Sequence, residues 1–203
     1  LVETLAIGCH AVDRANIESK DTVLVIGAGP IGLSAMEFVR LAGARLLVMD
    51  MVQSRLDFVT QTYGLTETIC ADGTEADLNA VAELTDNEFC DVVIDATGSD
   101  RSMNRSLEFA AFGGRVVYVG ITQGTLSFPH APLLHRRELT ILASRNALSR
   151  DFDRIIKEIE AERINTAPWI THRMSWTELP DQFPHLVDPS SGVLKAVATV
   201  ELT

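Results

Sequence analysis

The sequence predicts an α/β fold: a doubly wound, six-stranded parallel sheet with its connecting helices packed against it. Two patterns lead to that class. Six short apolar runs, rich in β-branched residues, alternate with stretches whose apolar positions recur at helical spacing, as in successive βα units. Between the first run and the helical stretch after it lie Gly27, Gly29 and Gly32, spaced as G-x-G-x-x-G. The second run ends on an acid, Asp50, near the ~20-residue distance at which that fingerprint carries one.

Taken in order, residues 4–17 are rich in Ala and Ile and read as a helix, with a turn at 19–21. Residues 22–26 form a continuous apolar run, the pattern of a strand buried on both faces, and Gly27 ends it. From 31 to 42 the positions Ile31, Ala35, Phe38, Val39 and Ala42 mark one helix face, and Gly43 supplies the stop. The alternation continues with a strand at 46–50, a helix at 54–62, a short strand at 68–70, a helix at 77–84 and a strand at 91–96. A helix over 101–109, a strand over 115–119 after Gly113 and Gly114, and a sixth strand over 139–143 complete the set. A helix follows over 152–161, then a segment punctuated by Pro168, Pro180, Pro184 and Pro189, and a last strand over 193–200. The expected division is a sheet domain over 1–150, with 151–203 adding a helix and a closing strand.

A chain of 203 residues that is 46% hydrophobic is long enough for one well-cored domain, since such a length buries roughly 70% of its unfolded surface. The formal net charge of -11 opposes a nucleic-acid partner, because neutralising phosphates needs clustered Lys and Arg. The first ten residues lack the basic segment of a secretory leader, and no apolar run approaches the ~20 residues of a membrane span. A cytoplasmic protein without a membrane partner is expected. Cys9, Cys70 and Cys90 lie far apart and form no C-x-x-C pair, so neither a disulfide framework nor a cysteine-rich zinc site is encoded.

The glycine motif carries the chemistry. Gly27 permits the tight turn off the strand, Gly29 lets backbone amides approach a pyrophosphate, and Gly32 allows the helix, opening at Pro30 and Ile31, to lie close to the sheet. The helix N-terminus then faces the phosphates. Asp50 can accept hydrogen bonds from both hydroxyls of an adenosine ribose, where a 2'-phosphate meets like charge; this favours NAD over NADP, with Arg55 as the residue able to rescue a phosphate. Ligands of such sheets bind at the carboxyl ends of the strands, an edge that collects Thr97 and Gly98, Gly120 and Ile121, and Ser144 and Arg145. Gly98 and Gly120 read equally as bare backbone for a planar ligand or as simple turn glycines. A stand-alone NAD-sensing module and a methyltransferase are the competing classes, the latter disfavoured by the third glycine. His130, His135, His172 and His185 show no i, i+4 pairing or carboxylate at metal spacing and are assigned no chemistry.

With these landmarks in order, the chain resembles the cofactor domain of the zinc-type medium-chain alcohol dehydrogenases, in the polyol and threonine dehydrogenase branch. The resemblance rests on Val2-Glu3-Thr4-Leu5-Ala6-Ile7-Gly8 with His10-Ala11, on Val23 through the glycine motif to Leu33, and on Asp50 with Arg55-Leu56. It continues through Asp95-Ala96-Thr97-Gly98, Gly113-Gly114-Arg115-Val116, Arg137-Glu138-Leu139, Ser144-Arg145-Asn146, Ile170-Thr171-His172-Arg173 and Leu194-Lys195-Ala196. It implies hydride transfer from a secondary alcohol or polyol to NAD, assisted by a zinc ion acting as Lewis acid. It also implies that most zinc ligands belong to a preceding GroES-like catalytic domain outside this sequence, on which the C-terminal elements would dock. Glu3 takes a position beside the metal, although Thr4 replaces the usual proline; an acid favoured by the helix dipole is the alternative. His10 falls near the nicotinamide and Lys195 reaches the cofactor phosphates, a snorkelling edge-strand lysine being the alternative. Relatives pair the sixth strand across a two-fold axis, which implies a homodimer or homotetramer.

Overall fold

The computed structural model describes residues 1–188 and 191–200. Close contacts divide the chain into two units, Leu1–Arg163 and Ile164–Thr203.

The first unit is the predicted sheet. Its strands are β1 (Thr22–Ile26), β2 (Arg45–Asp50), β3 (Thr68–Cys70), β4 (Cys90–Asp95), β5 (Ala110–Tyr118) and β6 (Thr140–Ala143). They lie in the order β3-β2-β1-β4-β5-β6, and every pairing is parallel. The order reverses direction between β1 and β4, the switch point at which such sheets open a crevice. Its helices are α1 (Val2–Ala15), α2 (Pro30–Leu41), α3 (Gln53–Tyr63), α4 (Glu75–Leu84), α5 (Asp100–Arg105) and α6 (Ser149–Glu160). Val23, Leu24, Val25, Leu47, Val48, Val92, Val93, Ile94, Val116 and Val117 are wholly buried, as strands covered on both faces require.

Two helices cross closely because one residue lacks a side chain. A Cβ on Gly8 of α1 would collide with Ser34 and with the backbone of Ala35 on α2. Instead the Gly8 N–H donates to Ser34 Oγ at 3.1 Å, and that hydroxyl donates to the Leu5 carbonyl at 2.9 Å. Arg115 fastens the other end of α1, donating to the carbonyls of Ala15 and Asn16 and pairing with Asp21 at 2.6 Å.

The compact unit that holds the sheet runs to Arg163; α6 packs on α1, and Arg154 on α6 bonds Asp13 at 2.9 Å. One expectation needs correction. β5 starts five residues earlier than its apolar run: Cys90 pairs with Ala110, and the ladder resumes at Val92 and Arg115. The intervening excursion turns at Gly113, φ 74°, so the glycines mark a bulge inside the strand and not its start. A turn of π-helix at His130–His135, with the two histidine rings 5.8 Å apart, also went unforeseen.

The second unit contains a 3₁₀ turn at Ala167–Trp169, β7 (Ile170–Ser175), α7 (Leu179–Leu186) and β8 (Lys195–Thr199). β7 and β8 pair in parallel, with a register shift between Ile170 and His172. The prolines masked α7. Pro180 sits in its first turn, where an N–H has no intrahelical acceptor, and Pro184 gives up one internal bond. Pro189 lies outside the described residues.

Candidate cofactor-binding site

The glycine loop is shaped by contacts that other residues could not make. Gly27 leaves β1 with φ 99°, and its N–H donates to the Met49 carbonyl at 2.7 Å. A Cβ on Gly32 would run into the Gly27 carbonyl, whereas one on Gly29 would meet only Arg55 Nη1, at 4.0 Å. Gly32 therefore serves helix–strand packing, and Gly29, the N-cap of α2, borders open space. Pro30 follows in the first turn, and the amides of Ile31 and Gly32 belong to the helix N-terminus, which lacks intrahelical acceptors.

Asp50 ends β2 and is 7% exposed. Its Oδ2 accepts the Ala28 N–H at 2.6 Å, and its Oδ1 accepts the Val52 N–H at 2.8 Å. The carboxylate thus ties the glycine loop to the end of β2, and it retains lone pairs on both oxygens for further donors. Arg55 Nη1 stands 3.7 Å from Oδ2, so the cation that sequence reasoning offered to a phosphate lies against the acid.

Gly27, Gly29, Pro30, Asp50 and Arg55 line one end of a cleft of about 440 Å³, within the range of small-ligand sites. Its other end is built by residues the sequence reading did not single out: Ala71 and Gly73 from the loop after β3, and Ser99, Arg101, Ser102 and Arg105 at and after the N-cap of α5. Asp77, buried in the first turn of α4, accepts the N–H groups of Asp72 and Gly73, each at 3.0 Å, and pairs with Arg105 at 2.9 Å. Arg105 also donates to the Thr74 carbonyl at 2.6 Å, and Arg101 to the Gly73 carbonyl at 2.7 Å. The nearest sequence signal was the position of residues 71–74 just beyond a strand's carboxyl end.

Asp95, the wholly buried last residue of β4, organises the next loop. Its Oδ1 accepts the N–H and hydroxyl of Thr97, and its Oδ2 accepts the Ser102 hydroxyl at 2.6 Å. Burial pushes its carboxyl above the ordinary range, while the bonds from Ser102 and Thr97 pull it down. Its carbonyl accepts the N–H groups of Val119 and Gly120. Thr97 lines the cleft. A Cβ on Gly120 would strike Gly98, and one on Gly98 would lie 3.0 Å from the Ile121 carbonyl, so both glycines are needed where the two loops meet. Ile121 is 86% exposed. Ser144 is buried with its hydroxyl unpartnered, and Arg145 beside it is exposed. Lys195 opens β8 in the second unit, in register with Ile170.

The metal position tests differently. Glu3 is exposed in the first turn of α1. Among the described residues the one group of three potential ligands is Cys9, Asp13 and Asp151, within 4.8 Å of one another, and Glu3 is not in it. Arg154 reaches into this group, 2.9 Å from Asp13 and 3.9 Å from Cys9 Sγ. Burial pushes the Cys9 thiol up to about 12. With the Arg154 guanidinium paired to Asp13 inside this group, the three do not fit a zinc site. His10 Nδ1 lies 3.4 Å from Asp151 Oδ2 without hydrogen-bond geometry, so it faces α6. Among the described residues no helix is long and apolar enough to cross a membrane.

Comparison with known proteins agrees with this architecture. The chain is 34% identical over 200 residues to the L-galactonate-5-dehydrogenase of Escherichia coli K12, covering 98% of this chain and 58% of that protein. It thus spans little more than half the length of such relatives. An alcohol dehydrogenase from Thermus sp. ATN1 superposes with a TM-score of 0.87 at 26% identity, covering 98% of this chain and 56% of its own. An Escherichia coli CFT073 alcohol dehydrogenase solved with NADH gives 0.87 at 21% identity, over 98% and 58% of the two chains, and shares the fold. The family described as zinc-binding dehydrogenase matches residues 30–161. This chain belongs to the zinc-binding dehydrogenase family.

Proposed function

We propose that this chain is the NAD-binding portion of a zinc-dependent dehydrogenase that oxidises a secondary alcohol or polyol, with NAD preferred to NADP. The observation that carries the preference is Asp50: a buried carboxylate fixed by two backbone amides at the end of β2, facing the cleft beside the glycine loop. It supplies acceptors to the two ribose hydroxyls and repels a 2'-phosphate. Arg55 is drawn against the same acid, 3.7 Å from Oδ2, and so is engaged there and not free for a 2'-phosphate.

Bound NAD supplies a hydride acceptor. In this reading the amides of Ile31 and Gly32 receive the pyrophosphate at the N-terminus of α2. Thr97, Gly98, Gly120, Ile121, Ser144 and Arg145 flank the nicotinamide half, where the unpartnered Ser144 hydroxyl is a ready partner for a carboxamide. Among the described residues the one group of three potential ligands does not fit zinc, so the proposal places the metal in the part of the dehydrogenase length that this chain does not span, with Glu3 as its neighbour. The same reading makes the protein a cytoplasmic homodimer or homotetramer. The edge position of β6, with Thr140 and Ala143 exposed, supports pairing there. A regulatory module draws no support from relatives named as dehydrogenases. The test is formation of reduced nicotinamide by the whole protein with a panel of polyols. Turnover with NAD well above that with NADP is expected; turnover with NADP alone would overturn the preference.

A further inference from the structure

A second cavity, of about 490 Å³, opens at the edge of the sheet opposite the cofactor cleft. Thr22, Arg45 and Asp91 line it from the amino-terminal ends of β1, β2 and β4, which share one edge because the strands are parallel. Its volume is that of a small-ligand site. One wall is strained. Asp86, Asn87 and Phe89 have φ of 52°, 67° and 63°. The first two end α4, and the Asn87 N–H closes back on the Ala82 carbonyl at 2.8 Å, as helix termini commonly do. That cap does not account for Phe89. A left-handed aromatic residue is an outlier, and such conformations cluster at ligand sites. The Phe89 N–H is held by Thr85 Oγ1 at 3.0 Å, and that hydroxyl donates to the Val81 carbonyl at 2.7 Å. So fixed, the ring centre lies 5.0 Å from the Arg137 guanidinium carbon.

Arg137 is half-buried and lines the same cavity. Its Nη1 donates to the carbonyls of Glu108 and Ala110 at 2.8 and 2.7 Å. Its remaining donors, on Nε and Nη2, meet no acceptor among the described residues, and no carboxylate there reaches ion-pair distance. Glu108, the acid whose charge it feels, pairs with Arg105 at 3.5 Å. Burial, aided by the neighbouring Arg136, pushes the guanidinium below the ordinary arginine value. The other groups are committed: Arg45 to Glu67 and the Leu84 carbonyl, and Asp91 to the Thr22 N–H at 2.8 Å. Phe112, thrown outward by the bulge of β5, also lines the cavity and is 72% exposed.

We propose that this cavity is a second binding site, for a small aromatic monocarboxylate, with the carboxylate on the free edge of Arg137 and the ring against Phe89 and Phe112. Nε and Nη2 donate to such a group as a parallel pair and gain the counter-charge that the fold leaves out. An exposed aromatic face gains from a second ring. Asp91 and the exposed Glu88 in the wall oppose a further negative charge, which limits the ligand to one carboxylate. The two cavities share no lining residue, so this site stands apart from the cofactor reading.

The test is titration of the full, isotopically labelled chain with 2-naphthoate, followed by amide chemical shifts, with 2-naphthylmethanol as the uncharged match. The acid is expected to shift the amides of residues 86–89 and 111–113 and not those of 27–33, with a dissociation constant of about 1 mM or tighter. The alcohol is expected to bind about tenfold more weakly. Phe112→Ser alters an exposed side chain, and is expected to leave Tm unchanged while weakening the acid about threefold to tenfold. Arg137→Gln is expected to bring acid and alcohol to equal affinity. Shifts confined to other residues, or none up to about 10 mM acid, overturn the site. Equal affinity of the unsubstituted chain for acid and alcohol overturns the role of Arg137, and undiminished binding by Phe112→Ser overturns the aromatic contact, whether or not the Arg137 variant folds.

Discussion

Replacing Asp50 with alanine separates the two duties given to its carboxylate. The first is structural. Loss of Oδ2 strands the Ala28 N–H, which is buried, at about 1–3 kcal/mol for an unmade buried hydrogen bond. Loss of Oδ1 frees the Val52 N–H, which is reached by water and costs less. Together the change should destabilise by about 2–4 kcal/mol, or roughly 4–16 °C in Tm for a chain of this size. The second duty is electrostatic. Without the acid, Arg55 loses its partner and is free for a 2'-phosphate, so the preference for NAD over NADP should narrow. Asp50→Asn keeps an oxygen for the Ala28 N–H and removes the charge, so it should recover much of the stability but not the preference. Thermal unfolding with parallel NAD and NADP titrations reads both. An Asp50→Ala chain with unaltered Tm and an unaltered cofactor ratio would refute the reasoning.

Other expectations follow from the same contacts. Gly8→Ala forces a methyl into the backbone of α2, which cannot rotate away, and urea unfolding should show a loss of about 1–3 kcal/mol. The raised Asp95 carboxyl gives a pH signature: the unfolded chain releases its proton first, so stability falls as pH climbs from the ordinary carboxylate value through the raised folded value, then levels off. Asp95→Asn keeps an acceptor for Thr97 and a donor for the Ser102 hydroxyl, and should flatten that portion of the stability–pH curve. Cys9 and Cys90 are buried with thiols pushed up to about 12, chiefly by burial, while Cys70 is exposed. A thiol-titrating reagent should therefore modify Cys70 alone in the folded chain and all three after unfolding.

The legible part of the fold was set by local pattern. Thr22–Ile26 falls where its apolar run lies, because a strand buried on both faces has little freedom over which residues it uses. The glycine loop and Asp50 were equally legible, since their spacing answers to one backbone geometry. What escaped depended on neighbours distant in sequence. Gly113 and Gly114 looked like a turn before a strand, yet β5 begins at Ala110 because Cys90 offers it a partner across the bulge. Prolines concealed α7. Gly98 and Gly120 left two readings open until the loops were seen to abut. The far wall of the cleft was invisible for the same reason: Asp77 and Arg105, or Gly73 and Arg101, acquire meaning only when α4 and α5 come together. The contact between His10 and Asp151, brought about by the packing of α6 on α1, was likewise invisible in the sequence.

The central claim is that the cleft between the glycine loop and Asp50 holds NAD. Calorimetric titration of the full chain with NAD, NADP and S-adenosylmethionine in parallel tests it without needing a substrate. NAD should bind with a stoichiometry of one and more tightly than NADP, with no heat from S-adenosylmethionine. Binding of S-adenosylmethionine alone would contradict the account, turning the same loop and acid into a methyl-donor site.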